Sequence, residues 1–403
     1  LDDSTAETTT RLRIALVITE LDVGGAERCL TELALFLSKQ GHHVRVLALG
    51  EPPAPLVDGL WRQLQQAQID VRFIHGKGLR HAVRSIGRLR RELAEFEPHV
   101  VQAMLWHANV ATAVALRGHS CVFVGGMRVS EPRWWRWPIE RWAARRMASL
   151  VCVSDDVRRH AERAERIEAA KLCVIPNGIS GPPLPAEYDQ SDRPSSQTGP
   201  GVWSPLGFEP REHQMLYVGR LEPQKGVLEL AEHLPQLLAP LADWSCIVMG
   251  RGSLREAMER AVKQRGCGQQ VHFTAWQPEA ARWMPAADVI LLPANYEGMP
   301  NVLLEAMHAG KPFVAFAVDG ISQLLSGDYP AELREVQLIP PQDWPKFVKA
   351  VHTLANNPQL RQRCGQANQR HVLAHFRLED QLARYEALYC RLVATTANQP
   401  ILK

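Results

Sequence analysis

The stretch RIALVITELDVGGAERCLTELALFLSKQGHHVRVLAL, residues 13–49, decides the fold class. RIALVIT is a short β-branched apolar run, GAERCLTELALFLSKQG is an amphipathic stretch, and HVRVLAL is a second apolar run. Strand, helix, strand in that order predicts a parallel sheet wrapped on both faces by helices. The rhythm continues outward through VRFIHG, HVVQAML, CVFVGG, SLVCVS and KLCVIPN. It breaks over GPPLPAEYDQSDRPSSQTGPGVWSPLGFEPREH, residues 181–213, which is rich in Pro, Gly and Ser as a linker or surface loop is. It resumes in MLYVG, WSCIVMG, VHFTAW, DVILLPA, PFVAFAV and VQLIP. The expectation is an α/β protein of two Rossmann-like, doubly wound domains, over 11–180 and 213–378, joined by a linker over 181–212. Two such domains facing each other would hold a ligand in the cleft between them, at the carboxyl ends of the strands.

Length and composition agree with two ordinary domains. The chain has 403 residues, 46% hydrophobic and 22% charged, enough for two apolar cores without disulfides or metals. No stretch approaches the roughly 18 to 20 uncharged apolar residues of a membrane span. The opening LDDSTAETTT lacks the basic start and apolar run of a secretory signal and reads as a disordered leader, so a cytoplasmic location is expected. The eight cysteines are scattered, Cys121, Cys152, Cys173 and Cys246 lie in apolar runs, and no pair has Cys-x-x-Cys spacing. Buried, reduced thiols are therefore expected rather than zinc or redox chemistry. Residues 11–180 hold 25 Lys and Arg against 17 Asp and Glu, while the rest hold 21 against 26, so the first half is the basic one.

Three stretches carry candidate chemistry. Gly24 and Gly25 lie between the first strand and its helix, where backbone can approach a phosphate at a helix start; a plain connecting turn looks the same. In YVGRLEPQKGVLELAEHL, Arg220 and Lys225 fall at a strand-to-helix loop, as cations stabilising a departing diphosphate would, although surface cations share that pattern. In NYEGMPNVLLEAMHAGKPFVAFAVDG, Glu297 precedes a helix opening near Pro300, and Glu305 lies about a turn and a half inside it.

Two glutamates seven residues apart within GMPNVLLEAMHAGKP resemble the donor-site signature of glycosyltransferase family four. GGAE, VIPNGI, VGRL…KG and the closing HFRLEDQLARYEALYCRL agree in order, so the resemblance covers nearly the whole chain. It implies the two-domain GT-B fold, with the last helix, residues 379–396, crossing back onto the first domain. It also implies retaining transfer from a nucleoside-diphosphate sugar to an acceptor hydroxyl, without metal or other cofactor. Carried over by position, Arg220 and Lys225 hold the diphosphate, Glu305 the ribose hydroxyls and Glu297 the transferred sugar. The backbone of Met299, Pro300, Asn301 and Val302 lies against sugar and phosphate, Gly25 adds an N–H, and Gly250 and Gly252 border the nucleotide. The family setting favours uridine as the base, leaves guanosine and adenosine open, and suggests polysaccharide or lipid-linked oligosaccharide assembly.

One departure stands out. Many family members carry a His after the strand matching CVFVGGMRV, whereas Gly126, Met127, Arg128, Val129 and Ser130 include none. His107 and Arg128 are the candidate substitutes, and an inactive relative that binds a partner or sugar nucleotide without transfer is the alternative. The segment 133–147, RWWRWPIERWAARRM, interleaves four Trp with five Arg, which suits the interface of an anionic membrane and a lipid-linked acceptor; a helix with packed Trp and solvated Arg is the plainer reading. GRGSLRE lacks the third glycine and distal acid of a dinucleotide-binding loop. With no nucleic-acid module and a net charge of only +3, nucleic-acid binding is not expected.

Overall fold

The computed structural model describes residues 11–55, 57–75, 82–130, 132–180, 200–277 and 280–397. The acidic leader and residues 181–199 of the expected linker lie outside this set. The chain divides into two compact units, residues 1–176 with 380–403, and residues 177–379.

The first unit alternates strand and helix along the chain: β1 (Arg13–Ile18), α1 (Gly25–Lys39), β2 (His43–Ala48), α2 (Gly59–Gln66), β3 (Asp70–Phe73), α3 (Ala82–Phe96) and β4 (Val100–Ala103). It continues through α4 (Trp106–Ala115), β5 (Val122–Met127), α5 (Trp137–Ala144), β6 (Ser149–Cys152), α6 (Asp155–Arg163) and β7 (Leu172–Val174). The described strands form one parallel sheet in the order β3-β2-β1-β4-β5-β6-β7. Ile14 through Ile18 have no exposed surface, because a central parallel strand is covered on both faces. Helix α1 turns Leu30, Leu33, Ala34 and Leu37 onto that sheet at helical spacing. Each leucine so buried contributes roughly 2 kcal/mol of transfer free energy.

The second unit contains β8 (His213–Val218), α7 (Val227–Leu238), β9 (Trp244–Met249), α8 (Arg255–Gln264), β10 (Val271–Thr274), β11 (Val289–Leu292), α9 (Asn301–His308) and β12 (Phe313–Phe316). It closes with α10 (Ala331–Glu335), β13 (Leu338–Ile339), α11 (Trp344–Ala355) and α12 (Pro358–His375). Its described strands are also parallel, in the order β10-β9-β8-β11-β12-β13. In each sheet the strand order reverses once, between β1 and β4 and between β8 and β11. Loops leaving such a switch point diverge to opposite faces and leave a crevice, so the two points are where ligands are expected. The last helix, α13 (Leu378–Ala397), belongs to the first unit from Asp380 on. There Tyr389, fully buried, donates its hydroxyl to Gln102 Oε1 at 3.0 Å, and Glu386 meets His42 Nε2 at 2.9 Å.

Two boundaries differ from the sequence expectation. Asn177 to Ile179 belong to the second unit: Asn177 Nδ2 donates to the Met299 carbonyl and to Asn301 Oδ1, and Ile179 pairs with Arg377. The described part of the expected linker is partly core, since Trp203 is fully buried in a short 3₁₀ segment and stacks on Trp283 at 5.4 Å. A Pro/Gly-rich composition hides two aromatic anchors, Trp203 and Phe208, whose outer stacking partners Trp283 and His272 are distant in sequence.

Of the cysteines placed in apolar runs, Cys152 and Cys246 are buried while Cys121 and Cys173 are only half-buried, and all eight thiols are free. Burial pushes Cys121 up to about 11 and Cys246 up to about 12, so both stay protonated near neutrality. Among the described residues no helix is long and apolar enough to cross a membrane.

Candidate donor-binding site

The switch point of the second unit gathers three loops. After β8 the chain turns through Gly219 and Arg220, and the buried Tyr217 donates its hydroxyl to the Arg220 carbonyl at 2.9 Å. Arg220 is exposed and donates through Nη2 to Gln224 Oε1 at 2.8 Å. Gln224 in turn joins the loop after β11: its Nε2 donates to the Tyr296 carbonyl at 3.0 Å, and its carbonyl accepts Asn295 N–H at 2.8 Å. Gly226 adopts φ 64° and ψ 29°, and a Cβ there would lie 2.0 Å from the Pro293 carbonyl oxygen, so this close approach requires glycine.

Lys225 Nζ contacts Glu297 Oε1 in the space these loops enclose, with side-chain exposures of 13% and 8%. Two little-hydrated opposite charges at one spot can be re-paired by a ligand that offers a phosphate to the cation and hydroxyls to the carboxylate.

The third loop follows β9. Gly250 and Gly252 pack against the first loop, and a Cβ would stand 2.0 Å from the Gly219 oxygen and 2.3 Å from the Leu221 oxygen, respectively. Glu222 clasps this loop by accepting Ser253 N–H at 2.8 Å and Ser253 Oγ–H at 2.7 Å, and those bonds hold its carboxyl below the usual range. Close packing of one loop on another thus accounts for glycine at both positions.

Helix α9 begins on the next face. Pro300 is its N-cap, in extended conformation and without a side-chain capping bond, so the positive end of the helix is not neutralised by its own cap. Met299 and Pro300 are buried, whereas Asn301, Val302 and Glu305 are half-buried. Behind the loop, Gly320 (φ 75°) would place a Cβ 1.5 Å from the Gly298 carbonyl oxygen, so the turn after β12 backs directly onto the loop between β11 and α9.

In the first unit, Gly24 is the extended N-cap of α1 and Gly25 its first residue; a Cβ on Gly24 would strike the Glu27 carboxylate. His107 is exposed on the first turn of α4, its ring edge-on to Trp106 at 5.0 Å. Gly126 and Met127, expected in a loop, still belong to β5. Arg128 follows and donates through Nη1 to Cys29 Sγ at 3.6 Å, with Tyr385 of α13 also bonded to it. Beside it the buried Glu140 accepts Asn109 Nδ2–H at 2.7 Å, and Asn109 exchanges two 3.2 Å bonds with Gly126. Trp106, Asn109, Arg128, Glu140 and Glu165 line a small cavity of about 40 Å³ beyond the carboxyl ends of β4 and β5.

Segment 133–147 divides in two. Trp134 and Trp135 are 72% and 49% exposed, whereas Trp142 lies under Arg146 at 4.2 Å and Trp137 packs edge-on to His160 at 5.6 Å. Arg136 sits over Trp106 and Trp135, at 4.7 and 5.1 Å.

Glu222, Gln224, Asn295, Gly320 and Asn177 escaped the sequence reading. Glu222 and Gln224 stand inside EPQK beside the two cations and were readable there as polar loop residues, but their partners lie in other loops.

Two doubly wound units, with cation, carboxylate and helix start converging at a switch point of the second, define the GT-B class. A match to the family described as Glycosyltransferase Family 4 covers residues 23–180, and one to the family described as Glycosyl transferases group 1 covers residues 212–357. The chain belongs to the group 1 glycosyltransferases of glycosyltransferase family 4. It is 25% identical to an alpha-D-kanosaminyltransferase of Streptomyces kanamyceticus over 59% of this chain and 58% of that one. It is 23% identical to a UDP-Gal:alpha-D-GlcNAc-diphosphoundecaprenol alpha-1,3-galactosyltransferase of Escherichia coli over 60% of each. These matches therefore span about three fifths of either relative. The fold is shared with Anabaena Alr3699/HepE, solved in complex with UDP and glucose, at a TM-score of 0.77, 18% identity, and coverage of 94% of this chain and 99% of that one.

Proposed function

We propose that the chain transfers a sugar from a nucleoside-diphosphate donor, a UDP-sugar in preference, to an acceptor hydroxyl with retention of anomeric configuration and without a metal. The observation that carries this reading is the convergence of Lys225, Glu297 and the start of α9, whose N-cap Pro300 makes no side-chain capping bond, on one switch point. Arg220, Lys225 and the helix start neutralise the charge that develops on the diphosphate as the bond from sugar C1 to phosphate oxygen breaks. The acceptor oxygen bonds to C1 from the same face, and its proton passes to a diphosphate oxygen, so no protein nucleophile is needed. Glu297 orients the sugar and Glu305 the ribose hydroxyls, while the backbone from Met299 to Val302 gives close approach. The UDP held by HepE supports uridine as the base.

The first unit takes the acceptor, and the setting is cell-surface polysaccharide or lipid-linked oligosaccharide synthesis at the inner face of the membrane. The exposed Trp134 and Trp135, set among arginines, support a peripheral contact with anionic lipid, and the E. coli relative's name includes a diphosphoundecaprenol acceptor.

Calorimetry against UDP, GDP, ADP and NAD in EDTA, with Glu305→Ala as control, tests the donor site. One nucleoside diphosphate should bind, and the variant should bind it more weakly by roughly 1–3 kcal/mol. Equal binding by both proteins would sink the site assignment. The absence of a His after β5 favours a second reading, a nucleotide-sugar binder without transfer. Binding without any turnover of the cognate donor in the presence of membranes would select it.

A further inference from the structure

Outside the donor loops, the second unit brings three metal-ligating side chains together. Asp328 lies between a 3₁₀ turn (Ser322–Leu325) and α10, and His371 and His375 lie one turn apart near the end of α12. One potential ligand atom from each falls within 4.8 Å of both others, and among the described residues this is the one such group. His371 Nδ1 is 3.6 Å and His375 Nε2 3.4 Å from the same oxygen, Asp328 Oδ1. A tetrahedral ion with arms of about 2.1 Å needs ligand atoms roughly 3.4 Å apart, so these two edges already have the required length. Two histidines at i and i+4 on one helix face form a chelating pair because both rings project to the same side.

The surroundings hold this geometry. His371 is 8% exposed, and its ring is hydrogen-bonded to the Leu324 backbone, the kind of outer partner that orients a ligating imidazole. Next to Asp328, Tyr329 is buried and donates its hydroxyl to Asn368 Oδ1 at 2.7 Å, one turn ahead of His371. Gln337 Nε2 donates to that hydroxyl at 2.8 Å, and Asn368 Nδ2 donates to Gln337 Oε1 at 2.8 Å. This closed buried network ties the Asp328 segment to α12 without using any of the three ligands. Asp328 and His375, with side chains 80% and 47% exposed, leave the remaining coordination position open to water.

We propose that Asp328, His371 and His375 form a binding site for a divalent transition metal ion, Zn²⁺ foremost, completed by water. Two imidazoles and one carboxylate suit zinc, and nickel or copper next, over magnesium or calcium, which prefer all-oxygen shells. The ion staples the 326–330 segment to the last turn of α12, immediately ahead of the Phe376–Leu378 stretch that pairs with Ile179. Its role is to stabilise this end of the second unit, separate from metal-free transfer chemistry at the donor loops. The site stands whether or not the transfer reading holds.

The test uses tag-free full-length protein stripped with EDTA, titrated with Zn²⁺ by calorimetry and with Co²⁺ by visible absorption. About one Zn²⁺ should bind per chain, Co²⁺ should give the intense bands of four-coordination, and Zn²⁺ should raise the thermal midpoint. His375→Ala and Asp328→Ala alter exposed residues and should leave the metal-free midpoint unchanged, while weakening Zn²⁺ by more than about tenfold. UDP affinity should be the same with and without chelator. No binding by the wild type, or unchanged binding in both variants, overturns the proposal.

Discussion

Lys225 Nζ and Glu297 Oε1 are in direct contact although 72 positions separate them in the chain. Each stands on a loop leaving one of two adjacent parallel strands, β8 and β11, so the sheet register rather than either loop brings them together. In the proposed function this pair is what the donor's phosphate and sugar engage.

Breaking this pair should separate stability from binding. Lys225→Met leaves a little-exposed carboxylate without its cation, and should cost about 1–3 kcal/mol of stability and a similar amount of nucleoside-diphosphate affinity. The double variant Lys225→Met/Glu297→Gln should recover most of the stability and none of the affinity. Urea unfolding and calorimetry measure both quantities, and recovery of affinity in the double variant would show that the ligand does not use Lys225.

Two glycine substitutions should have opposite signs. Gly226→Ala places a side chain in left-handed backbone and against the Pro293 oxygen, and should destabilise by at least about 2 kcal/mol while weakening nucleotide binding. Gly87→Ala, at an exposed position of α3 with nothing within 4 Å of the added methyl, should stabilise by roughly 0.5–1 kcal/mol. Denaturant midpoints of the two variants check the pair.

Membrane contact should reside in Trp134 and Trp135. Replacing both with Ser should reduce co-sedimentation with anionic vesicles severalfold and leave UDP affinity and thermal midpoint alone, since neither ring is buried. Arg136 is better kept in this variant, because it packs on Trp106. Salt should weaken the wild-type interaction. Equal sedimentation of variant and wild type would remove the membrane from the account.

Stability should fall on the acid side of neutrality. Burial lowers the pKa of His99, His272 and His308 below the ordinary value of about 6.5, with Arg13 and Arg211 adding to it for the first two. His99 also accepts the Arg13 N–H at Nδ1, a bond only an unprotonated nitrogen can make. Groups with depressed folded values favour the folded state fully above the unfolded value, and that preference is lost as pH falls from there through the folded value. Unfolding free energy should therefore drop between pH 7.5 and 5.5, and less so in His272→Phe, which keeps the stack on Phe208 at 4.7 Å. An equal drop in the variant would assign the pH dependence to other groups.

The sequence by itself determined the alternation of strand and helix, the parallel sheets and the positions of the candidate cations and carboxylates. These follow from short-range patterning: apolar runs for buried strands, helical spacing on Leu30, Leu33 and Leu37, and glycines at strand ends. Only the tertiary structure decided that Lys225 meets Glu297, that Gly250 and Gly252 receive neighbouring loops, and that Arg128 engages Cys29 and Tyr385. It also drew Trp203 out of the supposed linker into the core and gave Asn177 to the second unit. The reason is common to all of these. Each depends on which strands become neighbours and in what register, a choice made by burial over the whole sheet, so no local stretch of sequence carries it.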